Sequence, residues 1–167
     1  MRTIAHRSAF VCTASPQVGY PLTGIPASRN ARGPHCCDAS WVATRCLIVD
    51  DNESFLEIVR GLLEQEGLSV VGVATTCADA LPLFETARPD VVLVDIFLGE
   101  ESGLKLARRL VEDGRSNRAA VILISTHGED DLGDLIASSP AAGFLPKTEI
   151  SAEAIRRILD ASERRDT

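Results

Sequence analysis

The sequence predicts an α/β protein: a doubly wound, five-stranded parallel sheet with helices on both faces. Three observations predict it. Short, unbroken apolar runs recur between residues 46 and 165, bounded by turn-forming residues. Segments with helix-start signals and helical spacing separate them. The runs do not alternate apolar with polar, which marks strands covered on both faces.

Each element follows from local signals. Cys46–Val49 is a first strand. Asn52 caps a helix in which Phe55, Ile58, Val59, Leu62 and Leu63 follow 3.6-residue spacing, and Gly67 stops it. Leu68–Gly72 is a second strand. Thr76 starts a second helix that runs to Ala87 and closes before Pro89. Pro82 inside that helix should kink it or delay its start, because proline lacks an amide hydrogen and crowds the preceding turn. Val91–Val94 is a third strand ending on Asp95. Ser102 caps a third helix carrying Leu106, Ala107, Leu110 and Val111, and Gly114 ends it. Ala120–Ile124 is a fourth strand ending on Ser125. Residues 130–138 make a short, weak helix, with Gly133 inside and Pro140 after it. Gly143–Lys147 is a fifth strand. Its Pro146 cannot donate to a ladder, which places the strand at a sheet edge. Ser151 caps the last helix, with Ile150 and Ile155 at hydrophobic-staple positions.

The chain has 167 residues, enough for one domain of common size with residues to spare. Residues 1–45 hold Pro16, Pro21, Pro26 and Pro34 and sustain no apolar period. We read them as a disordered or non-native extension, with translation of the native chain starting near Val42. No apolar run approaches the roughly 18 residues of a membrane span, and the first residues lack a secretory signal. A cytoplasmic protein without membrane contact is the expectation. The charge is uneven. Residues 1–45 carry five arginines against Asp38, a net +4, while residues 46–167 carry 12 basic and 23 acidic side chains, a net −11. So acidic a domain is a poor ligand for phosphate backbones. The five cysteines, Cys12, Cys36, Cys37, Cys46 and Cys77, form neither a disulfide framework nor a zinc pattern and are read as free thiols. His6, His35 and His127 show no ligand spacing.

In open parallel sheets, ligands bind beyond the carboxyl ends of the strands. Those ends deliver Asp50 and Asp51, Asp95, Ser125 and Thr126, and Lys147. Three crowded carboxylates repel one another unless a cation sits among them, and an all-oxygen ligand set favours Mg²⁺. An aspartate is a competent nucleophile for phosphoryl transfer. A lysine and a hydroxyl beside it suit the phosphoryl oxygens. Singly, each residue has a plainer explanation: a helix-start acid, a turn former, a surface lysine, a loop hydroxyl. Together on one rim they point to a phosphoacceptor site.

Residues 46–165 resemble a response-regulator receiver domain, of the CheY-like type, of two-component signalling. The resemblance rests on Leu47–Asn52, Val91–Ile96, Ile122–Ser125 and Gly143–Lys147, with Ser102-Gly103 opening the third helix. It implies the flavodoxin-like strand order 2-1-3-4-5. It assigns Asp95 as phosphoacceptor, and Asp50, Asp51, Asp95 and the Phe97 backbone carbonyl as Mg²⁺ ligands. It assigns Ser125 as the switch hydroxyl, Phe144 as the switch aromatic and Lys147 as the phosphate-contacting lysine. It implies a sensor histidine kinase or phosphotransfer protein as donor, and self-catalysed aspartyl chemistry rather than enzyme turnover. It also implies a remodelled face of helix four, strand five and helix five that meets a downstream protein. It allows a transient homodimer through the last helix and its neighbours. Phe97, two residues past Asp95, and His127, two past Ser125, would flank the path of the hydrolytic water, so a bulky Phe97 should slow loss of the phosphate.

The chain departs from the family pattern in places. Thr148 stands where the family usually has proline, often behind a cis bond, which costs a non-proline residue about 2.5–4 kcal/mol. The fourth helix is weak. A few residues only follow the last helix, so a stand-alone receiver with no DNA-reading module is expected. Two other function classes remain: an interaction module on a receiver scaffold that works without phosphorylation, and a phosphatase of the haloacid dehalogenase type. The latter needs a second acid two residues after its nucleophile, and Phe97 occupies that place.

Overall fold

The computed structural model describes residues 43–113 and 119–165. Five parallel strands form one sheet in the order β2-β1-β3-β6-β7: β1 Arg45–Val49, β2 Ser69–Ala74, β3 Val91–Asp95, β6 Ala120–Ser125 and β7 Gly143–Pro146. This is the predicted order once a small antiparallel hairpin, β4 Phe97–Leu98 and β5 Glu101–Ser102, is counted between the third and fourth long strands. The helices are α1 Glu53–Gln65, α2 Cys77–Ala87, α3 Gly103–Asp113, α4 Glu129–Ala137 and α5 Ala152–Glu163.

The unbroken apolar strands are buried on both faces, because successive side chains point to opposite sides. Leu47, Val49, Val92, Val94 and Leu123 pack toward Phe84 of α2, Leu106 and Leu110 of α3 and Leu132 of α4. Cys46, Ile48, Leu93, Ile122 and Ile124 pack toward Leu56, Val59 and Leu63 of α1 and Ile155 of α5. Asn52 and Ser151 cap as expected, accepting the amides of Phe55 and Ala154. Thr76 caps α2 through Asp79 N. Gly67 takes the positive φ of 89° that ends α1. Ile150 and Ile155 are both buried, as a staple requires. β7, with Pro146, lies at the sheet edge.

Several expectations are corrected. Ile58 is 71% exposed and Leu62 is 38% exposed; Leu56, not Ile58, joins Val59 and Leu63 in the core. A 3.6-residue period fits two overlapping stripes when apolar residues are dense, and the sheet selects one. Val111 on α3 is likewise exposed. Ser102, directly before α3, also lies in β5, a strand the sequence did not predict, where it pairs with Phe97. β2 runs two residues past Gly72, to Ala74. Pro82 does not delay α2, which is helical from Cys77 through Ala87. Arg88 then closes it with φ of 43°. No peptide bond among the described residues is cis, so the chain after Lys147 turns through a single 3-10 turn, Lys147–Glu149. The expectations for residues 1–42 and for Gly114 lie outside the described residues. No helix among those described is long and apolar enough to cross a membrane.

Candidate functional site

The carboxyl ends of β1, β3, β6 and β7 deliver the expected side chains to one rim. Asp50 and Ser125 are fully buried and Asp95 is 4% exposed, whereas Asp51 is exposed. Oxygen atoms of Asp50, Asp51 and Asp95 lie within 4.8 Å of one another. Lys147 crosses from β7 to meet two of them. Its Nζ donates to Asp95 Oδ2 at 2.8 Å and stands 2.5 Å from Asp50 Oδ2. The same ammonium sits 4.5 Å from the centroid of the Phe55 ring on α1.

Backbone amides fix the carboxylates. Asp50 Oδ1 accepts the amide of Asn52 at 3.0 Å, and Asp95 Oδ1 accepts that of Phe97 at 3.1 Å. Ser125 Oγ accepts the amide of His127 at 3.1 Å. The Phe97 and His127 rings meet edge to face, 5.3 Å between centroids, and Phe97 is half exposed. Phe144 is half-buried and packs against the core cluster that α2, α3 and α4 cover.

The electrostatics follow from burial and pairing. Burial pushes the Asp95 carboxyl above its ordinary value, outweighing the hydrogen bonds from Lys147 and the Phe97 amide that favour its ionised form. Burial alone would lower the Lys147 ammonium, but its bonds to Asp50 and Asp95 raise it instead. Three carboxylates and one ammonium leave a local charge of −2. Asp50 Oδ2 is buried, with the Lys147 ammonium beside it as its ion-pair partner. A buried carboxylate oxygen, hard donors only and two uncompensated charges fit a small divalent cation such as Mg²⁺.

A family model, the response regulator receiver domain, matches residues 46–160. The chain belongs to the response regulator receiver family. As a receiver it is 32% identical over 118 residues to the response regulator GacA of Pseudomonas aeruginosa, covering 68% of this chain and 54% of GacA. It is 31% identical over 113 residues to the response regulator UvrY of Escherichia coli, covering 67% and 51%. The chain thus spans about half the length of these curated relatives. The signal receiver domain of NarL from Mycobacterium tuberculosis superimposes with a TM-score of 0.62 at 30% identity, over 72% of this chain and 97% of that one. The fold is flavodoxin-like, in its CheY-like form. Receivers act in two-component signalling, are partners of sensor kinases rather than conventional enzymes, and typically bind Mg²⁺.

The structure brings Asp50, Asp51, Asp95 and Lys147 together, with Ser125 at the adjoining strand end. Two participants were not legible as such. Phe55 was read as a core position, yet its ring carries the Lys147 ammonium; only tertiary packing brings the two together. Gly103 was read as a motif residue, and the reason for glycine emerges only in three dimensions. A Cβ there would stand 1.7 Å from the Asp95 carbonyl oxygen.

Proposed function

We propose that this receiver takes a phosphoryl group on Asp95 from a histidine of a sensor kinase or phosphotransfer protein. An Asp95 carboxylate oxygen attacks phosphorus, the P–N bond breaks, and the imidazole leaves with its electron pair. The product is an acyl phosphate on Asp95, later hydrolysed by water. Lys147 moves its ion pair from the carboxylate to a phosphoryl oxygen. Asp50, Asp51, Asp95 and the Phe97 carbonyl would hold Mg²⁺, which when bound would offset the charge of the incoming phosphate. Ser125 gives up its bond with the His127 amide and donates its hydroxyl to the phosphate. Phe144 then packs inward and changes the face of α4, β7 and α5, which a downstream protein reads.

The observation that carries this reading is the Lys147 ammonium held between Asp95 and Asp50, with Asp51 within reach. The chemistry is confined to Asp95 itself and involves no turnover of a separate substrate. The acidic receiver makes no direct contact with DNA. Any homodimer is transient and runs through α5 and its neighbours, and the protein works in the cytoplasm.

Incubation with acetyl phosphate and Mg²⁺, followed by intact mass, tests the proposal. One labile phosphate, absent in Asp95→Asn, is expected. No adduct on the wild-type chain would refute the proposal and favour an interaction module that works without phosphorylation. Turnover of acetyl phosphate at enzyme-like rates would favour a phosphatase.

A further inference from the structure

The hairpin after Asp95 has two residues on each side. So short a ladder does not hold itself. Its own base is closed by Gly103 N, which donates to the Ile96 carbonyl at 3.1 Å, and two outside contacts fasten it. Leu98 is buried in the core. The second contact is Glu101, whose Oε2 accepts the backbone amide of Cys77 at 2.8 Å. Cys77 is the first residue of α2. Its amide is one of the helix-start donors without an intrahelical partner. Thr76 satisfies the amide of Asp79; the Cys77 amide is satisfied from the hairpin, 24 residues along the chain. The Glu101 carboxyl is held below its ordinary value by that amide and by the Cys77 thiol.

Glu101 stands opposite Leu98 in the register, and Phe97 opposite Ser102. A hairpin this small moves as one piece. We propose that Glu101 is a positioning residue for the divalent-cation site: by fastening the hairpin to α2, it sets where the Phe97 carbonyl stands relative to Asp50, Asp51 and Asp95. The proposal rests on the reading of those four residues as cation ligands. Glu101 does not ligate the cation. It acts through the backbone that does, as outer groups orient the ligands of other metal sites.

The test is Mg²⁺ affinity measured by calorimetry on the full chain without any phosphodonor. Glu101→Ala should weaken binding about tenfold. Glu101→Gln, whose amide oxygen still accepts the Cys77 amide, should keep most of the affinity. Glu100→Gln, which removes a neighbouring exposed charge, should stay close to wild type. Cys77→Pro removes the donor from the other side at a helix position where proline is tolerated; the extended backbone of Thr76 before it is compatible with proline. It should weaken Mg²⁺ by a factor similar to Glu101→Ala. Equal weakening in Glu101→Ala, Glu101→Gln and Glu100→Gln would overturn the proposal in favour of a simple charge effect. A lower melting temperature of Glu101→Ala with unchanged Mg²⁺ affinity would overturn it in favour of a purely structural cap. If the wild-type chain takes up no Mg²⁺, the cation-site reading itself fails and the proposal falls with it.

Discussion

Lys147→Met tests the centre of the site without disturbing its shape, since methionine keeps an apolar stem against Phe55. The ammonium lies 2.8 Å from Asp95 Oδ2 and 2.5 Å from Asp50 Oδ2. At 2.8 Å and an effective dielectric of about 20, one such pair attracts by roughly 6 kcal/mol. Desolvation of the charges offsets much of that. Removing one partner of a buried pair typically costs about 3–5 kcal/mol, because the other charge stays behind unpaired. Lys147 keeps some solvent contact, its side chain being 12% exposed, so the lower end applies, about 3 kcal/mol. For a folded region of this size that corresponds to a fall of about 10 °C in melting temperature. Lysine and Mg²⁺ neutralise the same oxygens. The variant should therefore bind Mg²⁺ about tenfold more tightly, a shift of about 1.4 kcal/mol, and regain stability as Mg²⁺ saturates it. It should nevertheless form the acetyl phosphate adduct more slowly, having lost its contact to the phosphoryl oxygen. Thermal melts with and without Mg²⁺, and calorimetric titration, give both numbers. A metal-free melting temperature equal to wild type, or weaker Mg²⁺ binding, would refute the reasoning.

Other outcomes are as specific. Gly103→Ala places a Cβ against the Asp95 carbonyl, where only backbone can yield, so urea unfolding should show a loss of about 3 kcal/mol or more; an unchanged midpoint would contradict the close approach. Phe97→Asn removes the ring that meets His127 at the mouth of the site and should shorten the phosphorylated lifetime, followed by intact mass after the phosphodonor is removed; an equal lifetime excludes a shielding role. Burial, with help from the Glu101 hydrogen bond, pushes the Cys77 thiol up to about 11. Below that value it is largely protonated and a weak nucleophile, so peptide mapping should find it little alkylated by iodoacetamide at pH 8 and readily alkylated only as pH approaches 11. Rapid labelling at pH 8 would count against this environment.

The long strands were legible because each is a short apolar run that only a doubly covered sheet can use. The site was legible for a related reason: a polar residue at the end of such a run has little to do in the core, and Asp50, Asp95 and Ser125 all stood there. What escaped was of two kinds. The β4–β5 hairpin has too few residues to show any period, so Ser102 gave no sign of lying in a strand. Contacts between elements carry no local signal either. Nothing in the spacing of α1 told Leu56 from Ile58, placed Phe55 beneath Lys147, or joined Glu101 to the start of α2.

The two margins of the sheet are unlike. Pro146 interrupts the row of donors along β7, and a chain seeking to add there meets a gap. On the other margin β2 reads Ser69–Ala74, six residues with no charge and no proline, three of them valine. Such a segment has the composition of a self-pairing strand. Under heat or crowding, recruitment of a second molecule and growth toward fibrils would therefore begin at β2. A lysine introduced on its outward side is the economical way to keep a concentrated sample clear.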